Sequence, residues 1–173
     1  MTASHISFRR ETRPIILLRW RGEVLLNVFG AIDARRLAGL LHANASFIRR
    51  HLSDGSFVEL ISSVDGKEAG CGSVTFHDEM PSPDNTTGRC AYIMNIYVRP
   101  EFRHRGVARA TMRTLISLAR IHGAAKIYLE TTDSARRLYN NLGFKPMNDY
   151  LKLSDSDERN IQTHIANLPR IRQ

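Results

Sequence analysis

The sequence is poor in cysteine and lysine and has no long apolar run. Cys71 and Cys90 are its only cysteines. Neither has a second Cys or a His at a metal-ligand spacing, which excludes a disulfide framework and zinc-finger patterns. Both read as reduced thiols. His77-Asp78-Glu79 offers ligand types without a partner cluster, so no metal is expected. The longest apolar stretches, Ile15 to Leu18 and the block around Leu115 to Ile121, are cut by charge or polarity, which rules out a transmembrane span. Met1 to Arg10 lacks the apolar centre and cleavage site of a secretory signal, so a cytoplasmic location is expected. Lysine occurs only at positions 67, 126, 145 and 152, so arginine supplies nearly all of the charge behind the net +8. Arginine suits bidentate phosphate contacts, and the charge favours a polyanionic partner. Aromatics make up only 8% of the chain and do not interleave with basic residues, so nucleic acid is not the expected partner.

What is present is enough for one core. With 173 residues, 42% of them hydrophobic, a single domain is expected over residues 6–153, followed by a polar tail over 154–173. Ile6 to Glu11 reads as a strand. Thr12 reads as the cap of a helix from Pro14 to about Phe29, ended by Gly30. Asp33 caps a second helix that runs to the Asp54-Gly55 break. Ser56 to Val64 and Lys67 to Phe76 flank Asp65-Gly66, the pattern of a tight hairpin. A long loop spans His77 to Gly88, and a strand from Arg89 to Val98 stops at Arg99-Pro100. Val107 to His122 has the apolar period of a helix, with Gly123 just beyond it. Lys126 to Glu130 reads as a short strand, Asp133 to Asn141 as a short helix, and Phe144 to Leu153 as a returning strand.

The segment that carries chemistry is Val98 to Ala108. A strand ends, a turn carries Arg103-His104-Arg105-Gly106-Val107-Ala108, and a long helix starts at once. Unsatisfied N–H groups at the helix start, the helix dipole, and small residues at Gly106 and Ala108 make this a site for a pyrophosphate. Arg103, Arg105 and Arg109 add charge, and Arg113 extends the basic side by one turn.

This segment resembles the Arg/Gln-x-x-Gly-x-Gly/Ala motif of the GNAT superfamily of acetyl-CoA-dependent N-acetyltransferases. The preceding strand Ile93 to Val98 fits that likeness. So does Ala135 to Phe144, similar to the family's late helix with its tyrosine and Gly-Phe exit, and so does the order of elements over about Ile6 to Leu153. The resemblance implies an α/β (α+β) fold with a mixed, mostly antiparallel central sheet flanked by helices on both faces. It also implies acetyl-CoA as co-substrate and a small-molecule or peptide primary amine as acceptor, with no metal. A homodimer is common among relatives, and the tail from Ser154 could take part.

The resemblance also implies roles. The strand before the motif would splay and pair with the pantetheine arm around Ile96, Tyr97 and Val98, and an amide of Val98 or Tyr97 would stabilise the oxyanion. The pyrophosphate would lie on the amides of His104, Arg105, Gly106, Val107, Ala108 and Arg109. Thr132 and Arg136 would contribute to coenzyme binding, Thr132 standing where many relatives have Asn. Tyr139 would protonate the leaving thiolate, its alternative being a core tyrosine that packs the short helix on the sheet. Many relatives carry a carboxylate base on the strand before the motif. Here Ala91 to Val98 has none, which leaves Glu59 and Glu130 as candidate bases or as ordinary surface carboxylates. Trp20, Phe29 and Phe47 on the early helices are core or acceptor-pocket residues. The alternative to an enzyme is a catalytically silent module that binds acyl-CoA, or nucleic acid through its basic face.

Overall fold

The structure, a computed structural model, describes residues 5–148, 150 and 151. Its elements run β1 (Ile6–Glu11), α1 (Pro14–Phe29), α2 (Ala34–Ser53), β2 (Phe57–Val64), β3 (Lys67–Asp78), β4 (Arg89–Val98), a 3-10 turn (Pro100–Phe102), α3 (Val107–Ile121), β5 (Lys126–Leu129) and α4 (Asp133–Asn140). The five strands form one sheet in sequence order, antiparallel except for the parallel β4–β5 pair. The α3 crossover makes that parallel pairing possible. Strand alternation divides the core by face. Val58, Leu60, Val74, Ala91 and Ile93 pack on α3 and α4, whereas Ile61, Cys71 and Tyr97 pack on Trp20 and Val24 of α1. The result is an α/β domain with helices on both faces of a mixed, mostly antiparallel sheet. No helix among the described residues is long and apolar enough to cross a membrane.

Most local signals act as their chemistry dictates. Asp33 accepts a hydrogen bond from the Arg36 amide at 2.9 Å and starts α2, while Gly30 ends α1. Asp65 and Gly66, both at positive φ, close the β2–β3 hairpin. Three expectations need correction. Thr12 does not cap α1: the cap position is Arg13, and the side chain that serves the helix start is Glu11. Its carboxylate accepts from the amides of Thr12 and Arg13 at 3.0 and 2.9 Å and pairs with the Arg13 and Arg9 guanidiniums. β3 extends to Asp78, two residues into the expected loop. The returning strand over Phe144 to Leu153 is not formed at 144–148, 150 or 151. Pro146 lacks a ladder donor, and Phe144 and Met147 turn onto the cavity beside Tyr139 instead. Residues 149, 152 and 153 and the tail over 154–173 lie outside the described residues.

Glu11 is 2% exposed, and hydrogen bonding to Arg13 holds its carboxyl well below the usual carboxylate range. Glu11→Ala removes a buried charge whose partners remain, an expected cost of about 3 kcal/mol, read as a lowered melting temperature at pH 7. A depressed carboxyl pKa stabilises the fold fully above the ordinary carboxylate range and loses that effect as the pH falls, so the gap between wild type and variant narrows in acid.

Candidate active site

The site begins where β4 leaves β5. The two strands pair only from Cys90–Lys126 to Ile93–Leu129. Directly afterwards β4 carries an extra residue: Ser73 pairs with Met94 and Cys71 with Tyr97, so Asn95 and Ile96 stand opposite Gly72. Asn95 takes φ 63°, and a bulge of this kind bends and twists its strand. A Cβ at position 72 would meet Ile96 Cδ1 at 2.7 Å and Thr111 Cγ2 at 2.8 Å, so glycine is what lets the bulge and α3 approach β3. Beyond the bulge, the Arg99 amide donates to Ala69 of β3 at 2.9 Å, while the Val98 carbonyl accepts from Arg103 Nε at 3.1 Å. Because backbone groups alternate sides along a strand, Val98 faces the opening and Tyr97 faces β3. The Tyr97 side chain belongs to the core, edge-on to Trp20 at 6.4 Å.

The turn after β4 is an anion cradle by geometry. His104 and Gly106 are left-handed (φ 61° and 80°), and Gly106 caps α3 without any side-chain hydrogen bond. The first intrahelical amide bond is Ala110 to Gly106 at 3.0 Å. The amides of Val107, Ala108 and Arg109 therefore lack helical acceptors and point along the positive end of the helix. α3 is fixed in this direction by Val107, Met112, Leu115 and Ala119, which it buries on the sheet. A groove of about 430 Å³ lies between the cradle and α4. Val98, Arg103, His104, Gly106, Val107, Ala108 and Arg109 line one wall, and Arg137, Leu138 and Asn141 the other.

The sequence reading missed Arg137 and Asn141; their spacing of four along α4 was the available signal. Arg136 faces away from the groove and pairs with Asp133 at 3.0 Å. Arg136 and Tyr139 line a separate cavity of about 560 Å³ between α4, β5 and residues 144–147. Tyr139 is buried against Phe144, and burial pushes its phenol up. Arg105 lies over the Phe102 ring, and Thr132 is exposed at the start of α4, 3.0 Å from Ser134. Of the early aromatics, Trp20 is fully buried beneath Arg99, and Phe29 is 66% exposed.

Phe47 reaches a third cavity, about 140 Å³, under α1 and α2. Glu59 lies there, 1% exposed, with Oε1 unpartnered. Burial pushes its carboxyl up to about 7, against neighbouring Ser73, Cys71 and Asn95 and the charge of Arg21. Glu130, the other candidate base, is exposed beyond the end of β5. At the far end of β4, strand pairing sets His77 opposite Cys90, and Glu79 joins them within 4.8 Å, a grouping the sequence did not reveal. Lys126 holds Glu79 at 2.8 Å, which ties the start of the 79–88 loop to β5, and the Tyr128 hydroxyl lies 3.2 Å from His77 at the end of β3.

Comparison with known proteins agrees with this geometry. Residues 29–144 match the acetyltransferase (GNAT) family. A thialysine N-epsilon-acetyltransferase from Caenorhabditis elegans is 26% identical over 135 residues, covering 72% of this chain and 81% of its own length. A predicted acetyltransferase from Clostridium acetobutylicum, solved with acetyl-CoA, superposes with a TM-score of 0.74 at 24% identity, over 87% of this chain and 96% of that one. A GCN5-related N-acetyltransferase from Ralstonia eutropha gives 0.73 at 22% identity, over 87% and 99%. The family match spans well over half the chain and includes the bulged strand, the cradle and α4, so this protein belongs to the GNAT family of acetyltransferases.

Proposed function

We propose that the protein transfers the acetyl group of acetyl-CoA to a primary amine by direct attack, with no covalent enzyme intermediate. The observation that carries this reading is the alignment of three features: the uncapped α3 amides, the arginine-rich groove, and the open backbone of β4 at the end of that groove. The pyrophosphate sits on the amides of Val107, Ala108 and Arg109, with Arg103, Arg109 and Arg137 neutralising its charge. The pantetheine arm runs along β4 from Val98 towards Ile96, where no β5 partner competes for the backbone. Arg103 gives up the Val98 carbonyl for this pairing. Val98, whose amide faces the opening, is the oxyanion donor rather than Tyr97. Tyr139, neutral because it is buried, donates its proton to the departing sulfur from the β5 side of α4.

The named activity of the Caenorhabditis elegans relative supplies the first acceptor to try, the side-chain amine of thialysine, followed by unbranched diamines and an aminoglycoside. The test of the coenzyme site is calorimetric titration of acetyl-CoA, with desulfo-CoA and ATP as controls. Micromolar binding that requires the pantetheine arm is expected, with thiol release on adding an amine. Binding without turnover across the panel would make the protein an acyl-CoA-binding module, and no binding would end the reading.

A further inference from the structure

The cavity under α1 and α2 has features that packing alone does not explain. Glu59 is a carboxylate in the middle of β2, whose run Phe57–Val64 is otherwise almost wholly buried. Direct strand pairing puts it in line with Glu11 of β1, Ser73 of β3 and, one strand further, Met94 of β4. Glu59 Oε1 and Ser73 Oγ are both buried without hydrogen-bond partners. A carboxylate buried with one oxygen unpartnered is costly, and such a group in a cavity is a candidate for a catalytic role. The walls of the cavity are Phe47, Ile48, Phe57 and Met94, with Arg21 and Asn95 at the polar side. Met94 and Asn95 fix its place at the bulge, the point at which β4 parts from β5.

The charges facing Glu59 also fit. From α1, Arg21 donates to Asn95 Oδ1 at 2.7 Å and to Asn44 Oδ1 at 3.0 Å, so neutral amides hold it in place without neutralising it. From β1, Glu11 is already paired with Arg9 and Arg13. From β3 come Cys71 and Ser73, and from α2 only the uncharged Asn44, Phe47 and Ile48. Tyr92 of β4, the nearest rival on the strand itself, has a phenol pushed up by burial, which makes it a poor proton acceptor near neutrality.

We propose that this cavity receives the ammonium end of an acceptor with a slender apolar chain, and that Glu59 is the general base that takes its proton. The assignment rests on the acetyl-transfer reading above. The nitrogen gives one proton to the Glu59 carboxylate, which passes it to water after the product leaves. The neutral amine then bonds to the thioester carbonyl carbon as the C–S bond breaks. The adduct's second nitrogen proton passes through water to the Tyr139 oxygen, which has given its own proton to sulfur, so amide and free thiol leave with the phenol restored. The carboxylate that Ala91 to Val98 lacks is thus supplied from two strands away.

The experiment compares wild type and Glu59→Gln by thiol release from acetyl-CoA, with thialysine and the amine panel, between pH 5.5 and 9.5. For the wild type, kcat/KM is expected to rise with pH through about 7. For Glu59→Gln at pH 7, a loss of about 100- to 1,000-fold is expected, with the remaining rate climbing only as the amine itself deprotonates. Acetyl-CoA affinity should stay unchanged, and the melting temperature at pH 8 should rise because a buried charge has been removed. A wild type with no inflection near neutrality, or a variant that keeps both rate and profile, overturns the base while leaving acetyl transfer intact. A protein that binds no acetyl-CoA overturns the acetyl-transfer reading, and the base falls with it.

Discussion

Tyr139→Phe is expected to lower kcat about 100-fold while leaving the acetyl-CoA dissociation constant unchanged. The substitution removes one hydroxyl and keeps the ring, so the edge-to-face contact with Phe144 at 6.1 Å and the burial of α4 on the sheet persist. A phenol raised by burial holds its proton throughout the neutral range, which is the state an acid must be in when the thiolate forms. Rapid-mixing thiol release with saturating amine measures the loss. Because the interaction is made only as the C–S bond breaks, KM for acetyl-CoA should move little. Unchanged kcat would remove Tyr139 from the mechanism and return it to the core.

Gly106→Val is expected to weaken acetyl-CoA binding about 10- to 100-fold, by calorimetry. Gly106 sits at φ 80°, a conformation that costs an L-residue about 1–2 kcal/mol and a β-branched one more. Nothing lies within 4 Å of a Cβ placed there, so the damage arises from the turn and not from a clash within the protein. The turn relieves its strain by rotating, and rotation moves the amides of Val107 to Arg109 off the phosphates. Gly39→Val serves as a control: it too has open space, lies on α2, and should leave binding as it was. Equal affinity in both variants would place the phosphates elsewhere.

The fold was legible wherever a signal acts over a few residues. Pro14, Gly30 and the Asp65-Gly66 pair work through their own backbone and Asp33 through a side chain that reaches three residues on, and elements bounded by them fall close to where spacing puts them. Phe144 to Leu153 has strand-like composition, but pairing depends on a partner and on an amide that Pro146 lacks. Thr12 is a good cap in isolation, but the helix starts one residue later, with Arg13 at the cap position and the Glu11 carboxylate, paired with Arg9 and Arg13, holding the Thr12 and Arg13 amides. The cradle could be read because a helix start is a local object. That Arg137 lines the groove and Arg136 the cavity beside Tyr139 could not, since one residue turns a helix by about 100° and the sequence does not say which side meets the groove. The bulge at Asn95 left no mark beyond an Asn tolerant of positive φ. Glu59 did leave one, a charge within an apolar run, although only the third dimension shows that it is buried with Oε1 unpartnered.

The four-residue pairing of β4 with β5 has a consequence for how the domain comes apart. β1 to β4 are consecutive antiparallel neighbours over long registers, whereas β5 and α4 are joined to them by a short parallel ladder that closes across the whole of α3. Closure over a long loop carries an entropic cost that few hydrogen bonds repay, so β5 and α4 should open at a lower free energy than the β2–β4 ladder. Amide exchange should be fastest there in the free protein. A ligand that bridges the open backbone of β4 and the Arg137 face of α4 would tie that unit down, and slowed exchange in β5 would report occupancy of the groove even where no turnover is seen.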